Sequence, residues 1–218
     1  ITGFETGTLS DLLLHPDPST LAILPWRPSH GRVVRMFCDI TYPNGEPFER
    51  DGRYILRRAV ENMSSLGIDA TISSRTEFYL FCTDEQGNPT KIPFDNAGYL
   101  DIAPADKGEN VRREICFTLL DMGISPESSH HEAGPGQNEI DFRHNDPVSA
   151  AADAVTFRSV VSTVATRNGL SACFSPKPLP SCGGNGFHIT ICVSSENGDD
   201  PSEAFAAGIL AHIKEMTL

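Results

Sequence analysis

The chain has 218 residues, 39% of them hydrophobic, enough to bury a core in one domain or one and a half. Its 17 basic and 29 acidic residues leave a formal charge of −12, which repels phosphate backbones and anionic lipid and argues against nucleic-acid and membrane-surface roles. No run approaches the roughly 20 apolar residues of a membrane span, and no basic stretch followed by an apolar one marks an export signal.

In chain order, the first 48 residues read as short β-segments, LAILPW and VVRMFCDI, separated by the proline-rich turns HPDPS and YPNGEP. From Asp51 onward, helical patterns alternate with strands. Ile55, Leu56, Ala59, Val60, Met63 and Leu66 keep helical spacing and stop at Gly67, and Val111, Ile115, Leu119 and Met122 do the same and stop at Gly123. Two further helices are announced by Asp146-Pro147 and Asp200-Pro201, where Asp caps and Pro fits the first turn; the earlier of the two runs to Asn168 before Gly169. Between the helices lie the β-runs ATISSRTEFYLF, QNEIDFR, LSACFSP and GFHITICV. The expected fold class is α+β: a mostly antiparallel sheet with helices on one face and the other face free to line a cleft.

The six cysteines (38, 82, 116, 173, 182, 192) lie far apart without a Cys-x-x-Cys pair, mostly inside apolar runs. They read as reduced packing residues of a cytosolic protein.

Side chains alternate along a strand, so parity sorts each run into two faces. Arg75, Glu77, Tyr79 and Phe81 share one side of their strand. Gln137, Glu139, Asp141 and Arg143 share a face, as do His188, Thr190 and Cys192. A sheet wetted on one side alternates in the same way, so parity alone does not make a site.

The stretch SHHEAGPGQNEIDF is more specific. Gly134, Pro135 and Gly136 reverse the chain, so Glu132 and Glu139 approach across a hairpin. Two carboxylates brought together repel unless a cation or a proton intervenes, and hard divalent ions such as Mg2+ and Mn2+ take oxygen ligands. Glu77, Glu132 and Glu139 would make one such site, with His188 available for a second; a solvated acidic hairpin is the competing reading. Of His130 and His131, alternation turns one in and one out, and neither is assigned as a ligand. The loop CGGNG matches no phosphate-binding fingerprint and reads as a turn.

Together these segments resemble the bacterial class I glutamine synthetases. The matching pieces occur in family order across nearly the whole chain: SDLLLHPDPST, PW, CDITYPNGEPFERDGR, TEFYLF, AGYLDIAP, RREI, SHHEAGPGQNEIDF, FSPKPLP and GNGFHI. The resemblance implies that residues 1–48 are the latter part of an N-terminal β-grasp domain and residues 49–218 the first part of the catalytic domain, in a cytoplasmic, double-ring homo-dodecamer with active sites between subunits. It implies ATP-dependent ligation of ammonia to the γ-carboxylate of glutamate through γ-glutamyl phosphate, with Mg2+ or Mn2+, and no nucleic-acid or membrane partner. Carried over by motif, Glu77, Glu132 and Glu139 match ligands of a first metal and His188 a ligand of a second, phosphate-side metal. Glu127 and the segment Thr190 to Cys192 match nucleotide contacts, and Gly184 a contact to substrate glutamate. No residue is assigned to proton transfer.

Two departures stand out. The family strand usually reads Glu-x-Glu-Phe, its first Glu binding the second metal; here that position is Arg75, whose guanidinium cannot coordinate a metal. Thr190 stands where many members carry His. The family's glutamate flap, later arginines and last second-metal Glu are expected beyond Leu218, so these 218 residues are not expected to turn over alone. Three readings stay open: a working glutamine-forming ligase, a ligase for another amine or acid, and a non-catalytic binding or assembly paralogue.

Overall fold

The computed structural model describes residues 11–27 and 31–216. Two compact units form: one comprises the described residues up to Ala70 with those from Val193 onward, the other Thr71–Cys192.

In the first unit, β1 (Leu13–Pro16), β2 (Ala22–Ile23), β3 (Val34–Arg35) and β4 (Cys38–Thr41) make two antiparallel pairs, β1 with β4 and β2 with β3. LAILPW and VVRMFCDI are therefore strands only in part, and β1, whose last two residues, His15 and Pro16, begin the stretch that reads as a proline-rich turn, is an addition. The cause is long-range: Asp17 N–H donates to Phe37 O (2.8 Å) and Phe37 N–H to Thr20 Oγ1 (2.8 Å). These bonds draw the backbone between β3 and β4 onto the short turn Pro18–Thr20. Helix α1 (Gly52–Ser65) starts where Asp51 accepts from Arg53 N–H (3.1 Å) and ends before Gly67, whose φ of +71° suits glycine. One turn apart on it, Arg53 pairs with Asp17, and Arg57 with Asp39 (2.6 Å).

The second unit is built on β5 (Ile68–Thr83), a 16-residue strand that meets different neighbours along its length. After it come β6 (Pro89–Pro93), α2 (Glu109–Asp121), β7 (Pro126–His131), β8 (Gln137–Phe142), α3 (Pro147–Arg167), β9 (Leu170–Cys173) and β10 (Phe187–Ser195). Helices α4 (Ser202–Ala211) and α5 (Ile213–Met216) follow in the chain and belong to the first unit. The sheet runs β10-β5-β8-β7, with β9 and β6 pairing the far end of β5. β5 is antiparallel to β6, β8 and β9, and β7 to β8.

Parity sorts the faces as the sequence indicates. Phe78, Leu80 and Ile140 are fully buried together with Phe157, Val160, Val161 and Val164 of α3. The Phe157 ring meets Phe142 edge-on at 5.1 Å and Phe78 at 5.9 Å. Each such side chain contributes about 1.5–3 kcal/mol by leaving water. Asp146 caps α3 by accepting from Val148 and Ser149 N–H (3.1 and 3.0 Å), with Pro147 in the first turn. The opposite face is polar over a shorter span than alternation suggests. Tyr79 and Phe81 share parity with Arg75 and Glu77 yet are buried: the Tyr79 hydroxyl donates to Gly183 O (2.7 Å) in the 183–186 loop, and the Phe81 ring stacks on Tyr79 at 5.6 Å.

All six cysteines are free thiols, Cys192 exposed and the rest half-buried. Among the described residues, no helix is long and apolar enough to cross a membrane.

Candidate metal centre

The β7–β8 hairpin converts one alternating sequence into two polar layers. His130 stands opposite Glu139 and His131 opposite Asn138, so one set of alternate residues faces the open side and the other faces the interior.

On the open side, His130, Glu132 and Glu139 each offer a ligand atom within 4.8 Å of the others. His130 Nδ1 is 3.6 Å from Glu132 Oε1, and its Nε2 is 3.4 Å from Glu139 Oε1. Burial pushes the Glu139 carboxyl up to about 7; the hydrogen bond and charge of Asp141 add to this, Glu132 adds further, and His130 opposes it. Glu77 stands opposite Glu139 across β5 and β8. Its Oε2 accepts from Gln137 Nε2 (2.7 Å), and its Oε1 lies 2.7 Å from the point that a Cβ on Gly186 would occupy. His188 Nε2 is also 2.7 Å from that point, so Gly186 leaves the gap through which these two side chains approach.

Gln137 organises this corner. Its Nε2 also donates to Gly184 O (3.0 Å), while its Oε1 accepts from Gly134 N–H (3.0 Å). A Cβ on Gly134 would fall on Tyr79 Oη and come within 2.7 Å of Gln137 Oε1, so only glycine fits there. Burial, with Cys182, Glu77 and Glu132 nearby, pushes the Tyr79 phenol up to about 12, which keeps it a hydrogen-bond donor.

On the interior side, His131 is fully buried. Its Nε2 meets Asp95 Oδ1 (2.9 Å) and its Nδ1 meets Glu132 O (2.6 Å). Burial opposes the charge of Asp95, but bonds from His131 and Gly136 N–H (2.9 Å) outweigh it and hold its carboxyl below the usual range. Arg112 forks onto Asp106 (2.6 and 3.1 Å) and donates to Asn138 Oδ1 (2.7 Å) and Ser129 Oγ (3.2 Å). Asp95, Asp106 and His131 also lie within metal-ligand spacing, but Arg112, His131 and backbone N–H groups already occupy their oxygens. That cluster braces the hairpin from behind.

The structure thus brings Glu132 and Glu139 together, with Glu77 opposite Glu139 and directed to Gln137 and the Gly186 gap. It adds His130, one of two histidines that sequence left unassigned, and Gln137, which sequence missed; alternation turns one histidine in and the other out without saying which, and Gln137 shares parity with Glu139. Gly184 accepts from Gln137. Thr190 and Cys192 are exposed on β10, with Cys192 Sγ 3.9 Å from His144 Nε2, and Glu127 is exposed at the bulge of β7.

Two carboxylates and an imidazole suit a hard divalent ion. The surroundings of His188 do not resemble this set: Arg75, two residues from Glu77 on the same face of β5, is a fixed cation, and Thr190 is neutral.

Such a sheet with a carboxylate-rich hairpin defines a candidate divalent-metal protein. Residues 49–218 match the glutamine synthetase catalytic domain, and residues 1–43 match the glutamine synthetase beta-grasp domain. The chain belongs to the glutamine synthetase family. It is 41% identical over 228 residues to a glutamine synthetase of Clostridium saccharobutylicum, covering 99% of this chain and 52% of that protein. It is 42% identical over 230 residues to a glutamine synthetase of Staphylococcus epidermidis, covering 100% and 52%. A solved structure of GmaS in complex with ADP superposes with a TM-score of 0.84 at 28% identity, over 97% of this chain and 51% of that one. The chain spans about half the length of the curated relatives it matches.

Proposed function

We propose that the full-length protein is an ATP-dependent ligase that joins ammonia to the γ-carboxylate of glutamate. The observation that carries this reading is the group formed by His130, Glu132 and Glu139, within 4.8 Å of one another and opposite Glu77, in a chain of this family. Glu77, Glu132 and Glu139 would hold one Mg2+ or Mn2+, with His130 beside them. The ion would offset negative charge as the phosphoryl group moves. In the balanced reaction, the γ-phosphoryl of ATP passes to a glutamate carboxylate oxygen and ADP leaves. Ammonia nitrogen then bonds to that carbonyl carbon, the phosphate leaves with the C–O bond, and the nitrogen sheds a proton.

This chain's own residues supply position and charge. Gln137 fixes the Glu77 carboxylate, and the Gly183–Gly186 backbone, held by Tyr79 and Gln137, gives a rigid edge on which Gly184 would meet the amino-acid substrate. Glu127, Thr190 and Cys192 line a nucleotide face, a reading supported by the ADP in the related GmaS structure, and His188 stands at its phosphate side. We read residues 1–48 as the end of the β-grasp domain and 49–218 as the start of the catalytic domain, within a cytoplasmic double-ring dodecamer.

The test is phosphate release and glutamine formation by the full-length protein from ATP, glutamate and ammonium with Mg2+ or Mn2+. Turnover that disappears in Glu132→Gln supports the reading; no turnover with glutamate and ammonium, or turnover unchanged by that substitution, removes it. Arg75 favours a second reading, a non-catalytic paralogue. Recovery of turnover only in Arg75→Glu would select it.

A further inference from the structure

The two metal positions implied by the family differ in how their surroundings fit an ion. Glu77 N–H donates to Gly186 O (3.0 Å), and Thr71 Oγ1 and Cys192 Sγ both reach the His144 ring (3.4 and 3.9 Å). Since β5 and β10 are hydrogen-bonded neighbours, these contacts imply an antiparallel register in which Arg75 stands opposite His188. On its other flank, β8 places Asp141 opposite Arg75. Arg75 is exposed, and among the described residues its guanidinium enters no ion pair or hydrogen bond.

A divalent ion at His188 would need anionic oxygens around it. The carboxylate beside His188 is that of Glu77, one of whose oxygens, Oε2, already accepts from Gln137 Nε2, and the residue opposite His188 across the strand is a cation that repels the ion. A guanidinium, by contrast, carries a permanent charge and a planar fork that matches phosphate oxygens two at a time. Thr190, on the same face of β10 as His188, adds a neutral hydroxyl donor.

We propose that Arg75 is a phosphate-binding residue standing in for a second divalent ion, so that each site holds one metal, on the hairpin, and one fixed cation, on β5. This rests on the ligase reading only in placing a nucleotide on that face.

The test uses the full-length protein stripped by chelator. Mn2+ is counted by electron paramagnetic resonance before nucleotide is added, and the ATP analogue AMP-PNP is then titrated calorimetrically. Wild type should bind one Mn2+ per chain. Arg75→Gln should keep that count and weaken AMP-PNP at least tenfold. Arg75→Glu should bind a second Mn2+, which His188→Ala in the same background removes. Two Mn2+ in wild type would overturn the proposal, as would AMP-PNP affinity in Arg75→Gln within twofold of wild type. The two readings fail separately. One Mn2+ and Arg75-dependent AMP-PNP binding without glutamine formation would uphold Arg75 and remove the ligase; glutamine formation with two Mn2+ would do the reverse.

Discussion

Glu139 faces His130 across the β7–β8 pair, Oε1 to Nε2 at 3.4 Å, and is crowded by Glu132 and Asp141 on the same side. The arrangement is electrostatically unfavourable without a cation, so the hairpin should bind Mn2+ through these groups. Glu132→Gln and Glu139→Gln should each weaken Mn2+ in the full-length protein by more than the roughly 10–100-fold expected when an outer partner is lost. Gln137→Ala, which frees Glu77 while leaving every ligand in place, should cost about 10–100-fold. Mn2+ titration followed by electron paramagnetic resonance reads all three. Equal affinities across the set would make the hairpin a solvated acidic surface.

The Gly134 turn makes a steric prediction. A methyl there would collide with Tyr79 Oη and Gln137 Oε1 together, so Gly134→Ala must open the turn that carries Glu132 to Glu139. The expected loss is about 1–3 kcal/mol in urea unfolding, with weaker Mn2+ binding alongside. Gly208, in the middle of α4, has nothing within 4 Å of its added Cβ. Gly208→Ala should therefore be neutral or stabilise by up to about 1 kcal/mol.

Helix α3 was legible because cap, proline and terminal glycine all agree with its apolar spacing, and the β5 and β8 faces were legible because Phe78 and Ile140 alternate with Glu77 and Glu139. The features that sequence left out depend on partners far along the chain. β6 holds two prolines and is not among the β-runs read from the sequence, yet it is a short strand at the end of β5, where a missing donor is tolerated. β1 pairs with β4, 22–28 residues away in register. His131 looks like its neighbour His130 in sequence, and only Asp95, 36 residues upstream, separates their roles. Gln137 and Tyr79 read as ordinary alternation until the 183–186 loop arrives over them.

The buried Arg112–Asp106 pair should govern stability more than chemistry. Asp106 is 2% exposed and Arg112 is 5% exposed. Arg112→Ala strands a buried carboxylate and two further acceptors, at an expected cost of about 3–5 kcal/mol. Arg112→Lys should rescue little, since an ammonium cannot span Asp106, Asn138 and Ser129 at once. Replacing both members, Arg112→Met with Asp106→Leu, should cost less than Arg112→Ala alone, because no charge is left unpaired. Urea midpoints order the three; a double variant less stable than Arg112→Ala would show that the pair itself is net stabilising.

Acid should act first on carboxylates whose charged form the fold holds, and Asp146 isolates one such case at the start of α3. Burial raises its carboxyl, but hydrogen bonds from Ser149 and Val148 outweigh this and leave it below the ordinary value of 3.8. A depressed folded value means that the contribution is fully present above the unfolded carboxylate range and is lost as pH falls through the folded value. Asp146→Ala should therefore cost about 1 kcal/mol at pH 7, and the gap from wild type should close below pH 3.8. Asp146→Asn keeps a capping oxygen without the ionisation, so its stability should fall less steeply over the same acid range. Unfolding temperatures of the three proteins from pH 7 down to pH 2.5 check the sign, and a wild-type advantage over Asp146→Ala that grows in acid would contradict the capping account.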